Sequence, residues 1–284
     1  MIKIKSLENI DFDIIYTAFS KAFKDYEIQI NHSELKNMLI RRGFVAKLSF
    51  AAFDGNDIVA FTLNGIDTFN GIKTAYDTGT GTIKEFRGQG LAFQIFEYSI
   101  PFLKEVNISQ YLLEVLQHNT KAVSIYKKLG FKVNREFNYF VRKMDEVKLN
   151  SKKMTSTYQI APINLKQCEL ASDFQDFHPS WQNSLDAISR DPSRFVYLGA
   201  FKSEELVGFC IFEPSSGDIT QIAVNKPFRR QGIGTLLLNE VLKFNQHREI
   251  KLINTEINCQ SVNEFMKYHS FPLSGKQFEM IKDI

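Results

Sequence analysis

The sequence predicts an α/β chain of the α+β kind, built as two tandem domains with the same order of elements. Three observations carry this. The segment Phe86-Arg87-Gly88-Gln89-Gly90-Leu91-Ala92 returns 142 positions later as Phe228-Arg229-Arg230-Gln231-Gly232-Ile233-Gly234. Each copy follows a strand-like run and precedes a helix-like one. A chain of 284 residues also has room for two domains of ordinary size. The domains are expected at 1–146 and 158–284, joined by a polar, Lys- and Ser-rich linker at 147–157.

In the first half, Ile2 to Ile4 reads as a short strand. Phe12, Ile15, Tyr16, Phe19 and Phe23 have helical spacing, and a second helix is expected from Leu35 to Ile40. Phe50–Phe53 and Ile58–Leu63 flank Asp54-Gly55-Asn56-Asp57, a hairpin signal. A third strand ends at Thr82, just before the glycine turn. Leu91, Ile95, Phe102, Leu103 and Val106 then mark one apolar helix face, with a kink expected at Pro101. Tyr111 to Leu116 reads as a strand, Thr120 to Leu129 as a helix, and Phe131 to Met144 as two short strands.

The second half repeats the order. It has a strand at Tyr158 to Ile160, a helical region to about Ile188, and strands at Phe195–Phe201 and Leu206–Phe212. Strand Ile219–Val224 leads into the second glycine turn. Helix Thr235–Phe244, strand Lys251–Glu256, helix Ser261–Tyr268 and a terminal strand follow.

Composition narrows the functional class. Lys plus Arg number 35 against 32 Asp plus Glu, and the surplus divides almost evenly between the halves. A nucleic-acid protein concentrates its cations on a face or tail, so nucleic acid is not an expected partner. No window approaches the roughly 18 apolar residues of a membrane span, and the N-terminus has no apolar stretch behind its charges. The three cysteines, Cys168, Cys210 and Cys259, form no C-x-x-C pair, which fits reduced thiols in the cytoplasm. The histidines show no metal-ligand spacing, so no metal is expected.

A glycine-bearing turn that feeds a helix N-terminus presents unpaired backbone N–H groups and a positive dipole end, which suit a diphosphate. The dinucleotide fingerprint fails here, because Gly88-x-Gly90 is followed by Phe93. The P-loop fails because Gly275-Lys276 is followed by Gln277. The spacing that fits is Arg/Gln-x-x-Gly-x-Gly/Ala, met by Arg87-x-x-Gly90-x-Ala92 and Arg229-x-x-Gly232-x-Gly234. The chain resembles the GNAT superfamily of acyl-CoA-dependent N-acyltransferases over nearly its whole length. The resemblance implies two tandem domains, each a mixed, mostly antiparallel twisted sheet flanked by helices, with a splayed strand pair for CoA. It implies acetyl-CoA as acyl donor, bound by Phe86 to Ala92 and Asn119 in one half and by Val224 and Arg229 to Gly234 in the other. Small residues at 90, 92, 232 and 234 let the backbone approach phosphate, and Arg87, Arg229 and Arg230 can add charge.

Acyl transfer to an amine needs a deprotonated amine, an acid for the departing thiolate and donors for the oxyanion. After Tyr111–Leu116 comes Asn119-x-x-Ala122-x-x-x-Tyr126-x-x-x-Gly130-Phe131, similar to the family's second CoA motif, which makes Tyr126 the implied acid. Asn119 and Tyr126 are seven apart and share a helix face. Asn119 as a plain N-cap and Tyr126 as a core residue are the structural alternatives. In the second half, aligning Phe271 with Phe131 puts Met266 where Tyr126 stands, and a thioether cannot donate a proton. The base is open: Glu114 is the candidate, with Glu256 142 positions on, and a solvated strand carboxylate is an equal reading.

These residues point to an N-acetyltransferase acting on a primary amine of a small molecule or peptide by direct attack in a ternary complex, with chemistry mainly in the first half. The alternative is an acyl-CoA-binding sensor or structural protein without turnover in one or both domains. A monomer with an internal pseudo-dimer, or a homodimer, is the expected assembly.

Overall fold

The computed structural model describes residues 1–26, 29–148 and 157–284. The expected linker at 147–157 therefore falls mostly outside the described residues. The chain divides into two compact units that interleave in sequence: 1–115, 119–134 and 279–284 form the first, and 116–118 with 135–278 the second.

The elements run β1 (Ile2–Ser6), α1 (Phe12–Ala22), α2 (His32–Arg41), β2 (Phe50–Asp54), β3 (Asp57–Phe69), β4 (Ile72–Thr82), α3 (Leu91–Glu105), β5 (Gln110–Leu116), α4 (Thr120–Lys128) and β6 (Lys132–Lys143). Then come β7 (Gln159–Pro162), α5 (Leu165–Leu170), α6 (Leu185–Ser189), β8 (Val196–Lys202), β9 (Glu205–Glu213), β10 (Asp218–Val224), α7 (Ile233–Leu242), β11 (Glu249–Glu256), α8 (Gln260–Tyr268) and β12 (Leu273–Asp283).

In the first unit the strands lie in the order β1-β2-β3-β4-β5, with the closing residues of β12 beside β5. Asp11 caps α1 by accepting the Asp13 N–H, and Asn31 with Glu34 forms a capping box on α2. Alternation along β2 and β3 splits the core in two. Ala51, Phe53, Phe61 and Leu63 pack with α1 and α2, while Phe50, Ala52 and Ala60 pack with Leu91 and Ile95 of α3. The reading from periodicity stops β3 at Leu63. The strand instead continues to Phe69 and returns through Asn70-Gly71, both at positive φ (52° and 79°), the twist a two-residue hairpin requires. Helix α3 runs unbroken past Pro101.

In the second unit the order is β7-β8-β9-β10-β11-β6, with the first part of β12 beside β6. Three expectations are corrected. Phe131 to Met144 forms one strand of 12 residues, β6, whose pairing with β11 from Phe137 to Lys143 keeps it extended. The helical region before Ile188 is broken into α5 and α6, of 6 and 5 residues, separated by 3-10 turns and bends. Helix α7 begins at Ile233, directly on the glycine turn, rather than at Thr235.

Both units carry a strand pair that parts. Strands β4 and β5 pair in parallel only at Thr74 to Tyr76 with Gln110 to Leu112, and β10 pairs with β11 only at Asp218 and Lys251. A bulge stands at the parting in each: Thr78 is skipped in the β3–β4 register, and Thr220, 142 positions on, in the β9–β10 register. A bulge bends and twists its strand, which turns β4 and β10 away from their parallel neighbours. The separation of 142 does not persist. Strands β5 and β11 end at Leu116 and Glu256, and α4 and α8 start at Thr120 and Gln260, each 140 apart. Glu256 is thus the counterpart of Leu116, and Glu114 that of Asn254.

Candidate active site

Each glycine turn links a parted strand to a helix. Gly90 (φ 73°) and Gly232 (φ 87°) stand at the N-caps of α3 and α7. Gly88 and Arg230 match in conformation at φ 81° and 62°. A Cβ on Gly88 or Gly232 would meet nothing within 4 Å, and one on Gly90 only Gln94 at 3.8 Å. The backbone surface there is open to a bulky anion. The first intrahelical bonds run from Gln94 N–H to Gly90 O and from Leu236 N–H to Gly232 O, both 3.0 Å, so the amides of residues 91–93 and 233–235 lack acceptors within their helices.

The side chains of the turn divide sharply in use. Leu91 and Ile233 are core residues, so only their backbone can face a ligand. Phe86 packs against the α3 core cluster. Arg87 and Arg229 brace the turn rather than pointing from it. Arg87 Nε donates to Thr82 O at 3.1 Å and Nη2 to Ala22 O at 2.8 Å. Arg229 repeats the pattern with Nε to Val224 O at 2.8 Å and Nη2 to Phe174 O at 2.9 Å, and its Nη1 takes both oxygens of Asp176 at 3.0 and 2.8 Å. Burial alone would push the Asp176 carboxyl up, but the Ser261 hydroxyl and the Arg229 guanidinium hold it below the usual range. Gln231 accepts from the Tyr158 hydroxyl, and the backbone oxygen of Gln89 accepts from the Gln94 amide at 3.2 Å. Arg230 is exposed and lines the second turn's cleft.

That cleft holds about 710 Å³ and belongs wholly to the second unit. Its walls are β10 from Thr220 to Val224, Leu252, Ile253 and Thr255 of β11, residues 229–236 of the turn and α7, one face of α8, and the segment Phe174–Pro179. The volume lies within the roughly 300–1,000 Å³ typical of small-molecule sites. With an amide-lined turn at one end and a parted strand pair behind it, the residues present fit an acyl-CoA. Of the α8 residues, Ser261, Phe265 and Tyr268 face the cleft, whereas Met266 is buried in the core with Leu252 and Phe271. Phe131 N–H to Tyr126 O and Phe271 N–H to Met266 O are matching bonds, which places Met266 at the position of Tyr126.

In the first unit the parted strands enclose ionisable groups. Tyr126, half-buried on α4, donates its hydroxyl to Asp77 Oδ2 at 3.1 Å, and Thr80 donates to the same oxygen at 2.8 Å. Burial holds the Asp77 carboxyl above its usual range against the pull of those donors. Burial, then the Asp77 charge, holds Tyr126 well above the usual tyrosine range, so the phenol stays protonated. Glu114 does not stand in solvent: it shares a hydrogen bond with the Tyr76 hydroxyl, beside the Arg42 guanidinium. Arg42 in turn donates to Thr78 O at the bulge, at 2.8 Å. Asn119 caps α4 by accepting the Ala122 N–H at 3.2 Å. Asp77 is the residue the sequence reading missed. Its signal was a carboxylate in a strand whose neighbours Ala75 and Tyr76 are apolar and buried.

Among the described residues no cluster of three His, Cys, Asp or Glu side chains could hold a metal ion, and no helix is long and apolar enough to cross a membrane. The Cys168 thiol is pushed up to about 12, and the Cys210 thiol also upward, in each case by burial first. Neither supplies a ready thiolate.

The sequence pattern of the acetyltransferase (GNAT) family matches residues 12–131 and again 158–271. The chain belongs to this family. Among curated proteins, N-alpha-acetyltransferase 30 of Schizosaccharomyces pombe is 28% identical over 123 residues, spanning 42% of this chain and 82% of that protein. Its Dictyostelium discoideum namesake is 25% identical over 104 residues, 36% of this chain and 56% of that protein. Solved structures share the fold over nearly the whole chain, among them the following two. A tandem GNAT protein from the clavulanic acid biosynthesis pathway has a TM-score of 0.76 at 11% identity, covering 100% of this chain and 98% of its own. A GCN5-related N-acetyltransferase from Sphaerobacter thermophilus has a TM-score of 0.74 at 13% identity, covering 99% and 95%. The GNAT architecture explains why each unit ends its parted strand on an amide-rich turn.

Proposed function

We propose that this GNAT chain transfers an acetyl group from acetyl-CoA to a primary amine of a small molecule or a peptide, by direct attack within a ternary complex. The observation that carries the reading is the amide-lined glycine turn at the end of a parted strand pair, present in both units and backed in the second by a cleft of about 710 Å³. Acetyl-CoA supplies the activated acyl group. The amides after Gly90 and Gly232 and the Arg230 guanidinium hold its phosphates, and Val224 lends the strand edge that leads into the second turn. The similarity to two N-alpha-acetyltransferases favours a peptide amine.

Chemistry is assigned to the first unit. Tyr126 has a phenol that stays protonated and points into the parting of β4 and β5, where it can donate to a leaving sulfur. Asp77 accepts that hydroxyl in the resting site, so the proton turns from Asp77 to the sulfur as the thiolate leaves. Glu114, tied to Tyr76, acts as base through that hydroxyl or by water. In the second unit Met266 stands in the acid's place inside the core, which favours binding without turnover there. The protein is read as cytoplasmic.

Thiol release from acetyl-CoA tests the reading, with amines that include a peptide of free N-terminus and its blocked counterpart. The intact chain should release thiol with the free peptide or with a small amine. Gly90→Glu should abolish release, because it places a carboxylate on the amide cluster in a backbone that glycine alone adopts easily. Release that survives Gly90→Glu but is lost with Gly232→Glu would move catalysis to the second unit. Tight CoA binding with no release on any amine would leave a sensor.

A further inference from the structure

One buried side chain lining the second unit's cleft has a hydroxyl that no group among the described residues satisfies. Thr255 of β11 lines the cleft and is wholly buried, and among the described residues its Oγ1 has no hydrogen-bond partner. Its placement is specific. The β6–β11 register shifts between Leu252 and Thr255, and Asn254 in that bulge has φ 58°, so the bulge re-aims the strand just before Thr255. Its cross-strand partner Asn138 donates through Nδ2 to Asn263 at 3.0 Å, while the Asn138 carboxamide oxygen is also without a partner. A buried donor and a buried acceptor thus stand on paired residues where β11 has left β10.

The neighbouring polar groups are already engaged. Ser261 donates to Asp176, and Gln175, Gln221 and Asn183 form a chain of bonds that ends on Ile253 O. At the corresponding place on β5, one residue before the strand ends, the first unit has apolar Val115. A buried hydroxyl with no partner bears an unrepaid desolvation penalty, which a ligand carbonyl would relieve.

We propose that Thr255 is a binding residue of the second cleft, whose hydroxyl donates to a carbonyl oxygen of the acylated arm of CoA. This rests on the reading that the cleft takes acyl-CoA. The oxygen belongs either to an amide of the arm or to the thioester, and the two give different results below.

The test is calorimetric titration of the full chain carrying Gly90→Glu, which leaves the second cleft as the one open turn. The ligands are CoA, acetyl-CoA and adenosine 3′-phosphate 5′-diphosphate, which lacks the arm. With Thr255→Val, CoA and acetyl-CoA should both bind about three- to tenfold more weakly if an amide is contacted, or acetyl-CoA alone if it is the thioester. The armless nucleotide should bind unchanged, the ligand-free melting temperature should rise, and Thr255→Ser should restore affinity. Unchanged affinity for CoA and acetyl-CoA overturns the proposal, as does equal weakening of the armless nucleotide. If none of the three ligands binds before Thr255 is changed, the reading of the cleft itself falls.

Discussion

Replacing Arg229 by Lys separates a structural brace from a phosphate ligand. Lysine keeps the charge but loses the planar fork that serves Val224 O, Phe174 O and both oxygens of Asp176 at once. Hydrogen bonds to charged groups are each worth about 1.5–3 kcal/mol when shielded. Here the side chains of Arg229 and Asp176 are 26% and 23% exposed, and lysine recovers part of the charge interaction. The expected net loss is about 2–3 kcal/mol, or roughly 5–10 °C in melting temperature. Arg87→Lys should cost about 1 kcal/mol, because that side chain is 41% exposed and its Asp25 contact is 3.6 Å. Urea denaturation reads the difference, and CoA titration at several salt concentrations reads the ligand. If Arg229→Lys leaves stability intact while CoA affinity collapses, the guanidinium's fork serves the phosphate and the brace is wrong.

Tyr126→Phe should lower turnover at least a hundredfold with acetyl-CoA affinity changed less than about twofold, measured with chemistry made rate-limiting; unchanged turnover removes Tyr126 from the mechanism. Gly81→Ala should destabilise by about 1–3 kcal/mol in thermal denaturation, since a Cβ there would come 2.7 Å from the Phe61 ring and 3.1 Å from both Ala22 and Phe23. Acid should weaken the second unit in two stages. Burial lowers the His269 value below its ordinary 6.5, so the unfolded chain takes up that proton first and stability begins to fall below about pH 6.5. Asp176, lowered from 3.8, lends stability that is present above about pH 4 and lost as pH falls through its folded value. Denaturant midpoints across pH should lose the second stage in Asp176→Asn.

The turn was legible because its conformation has a local cause: Gly90 and Gly232 are written where positive φ is needed, and the strand before and helix after announce themselves by period. Asn119 as a cap, the structural alternative to its expected cofactor contact, was legible for the same reason. The partnership of Tyr126 with Asp77 was not, since 49 residues separate them and the bond depends on how β4 bends at Thr78. The roles of Arg87 and Arg229 were hidden too, because a guanidinium near a phosphate-binding turn and one bonded to a carbonyl have the same sequence. The uneven spacing was half visible. The match of Phe271 to Phe131 already implied the offset of 140, while the pair Glu114 and Glu256 suggested a false symmetry at 142.

The interleaving of the two units sets a timetable for synthesis. The first unit takes residues 279–284 beside β5, so it cannot close until almost all of the chain seen here has been made. At about 5–20 residues per second, the 144 residues from Arg135 to Phe278 take roughly 7–30 s to emerge. During that interval β5 has an unpaired edge, the kind of surface that invites wrong pairing. The strand β6, made early, waits for β11 in the same way. A protein assembled like this gains little from domain-by-domain folding and should depend on protection of those edges while it is made.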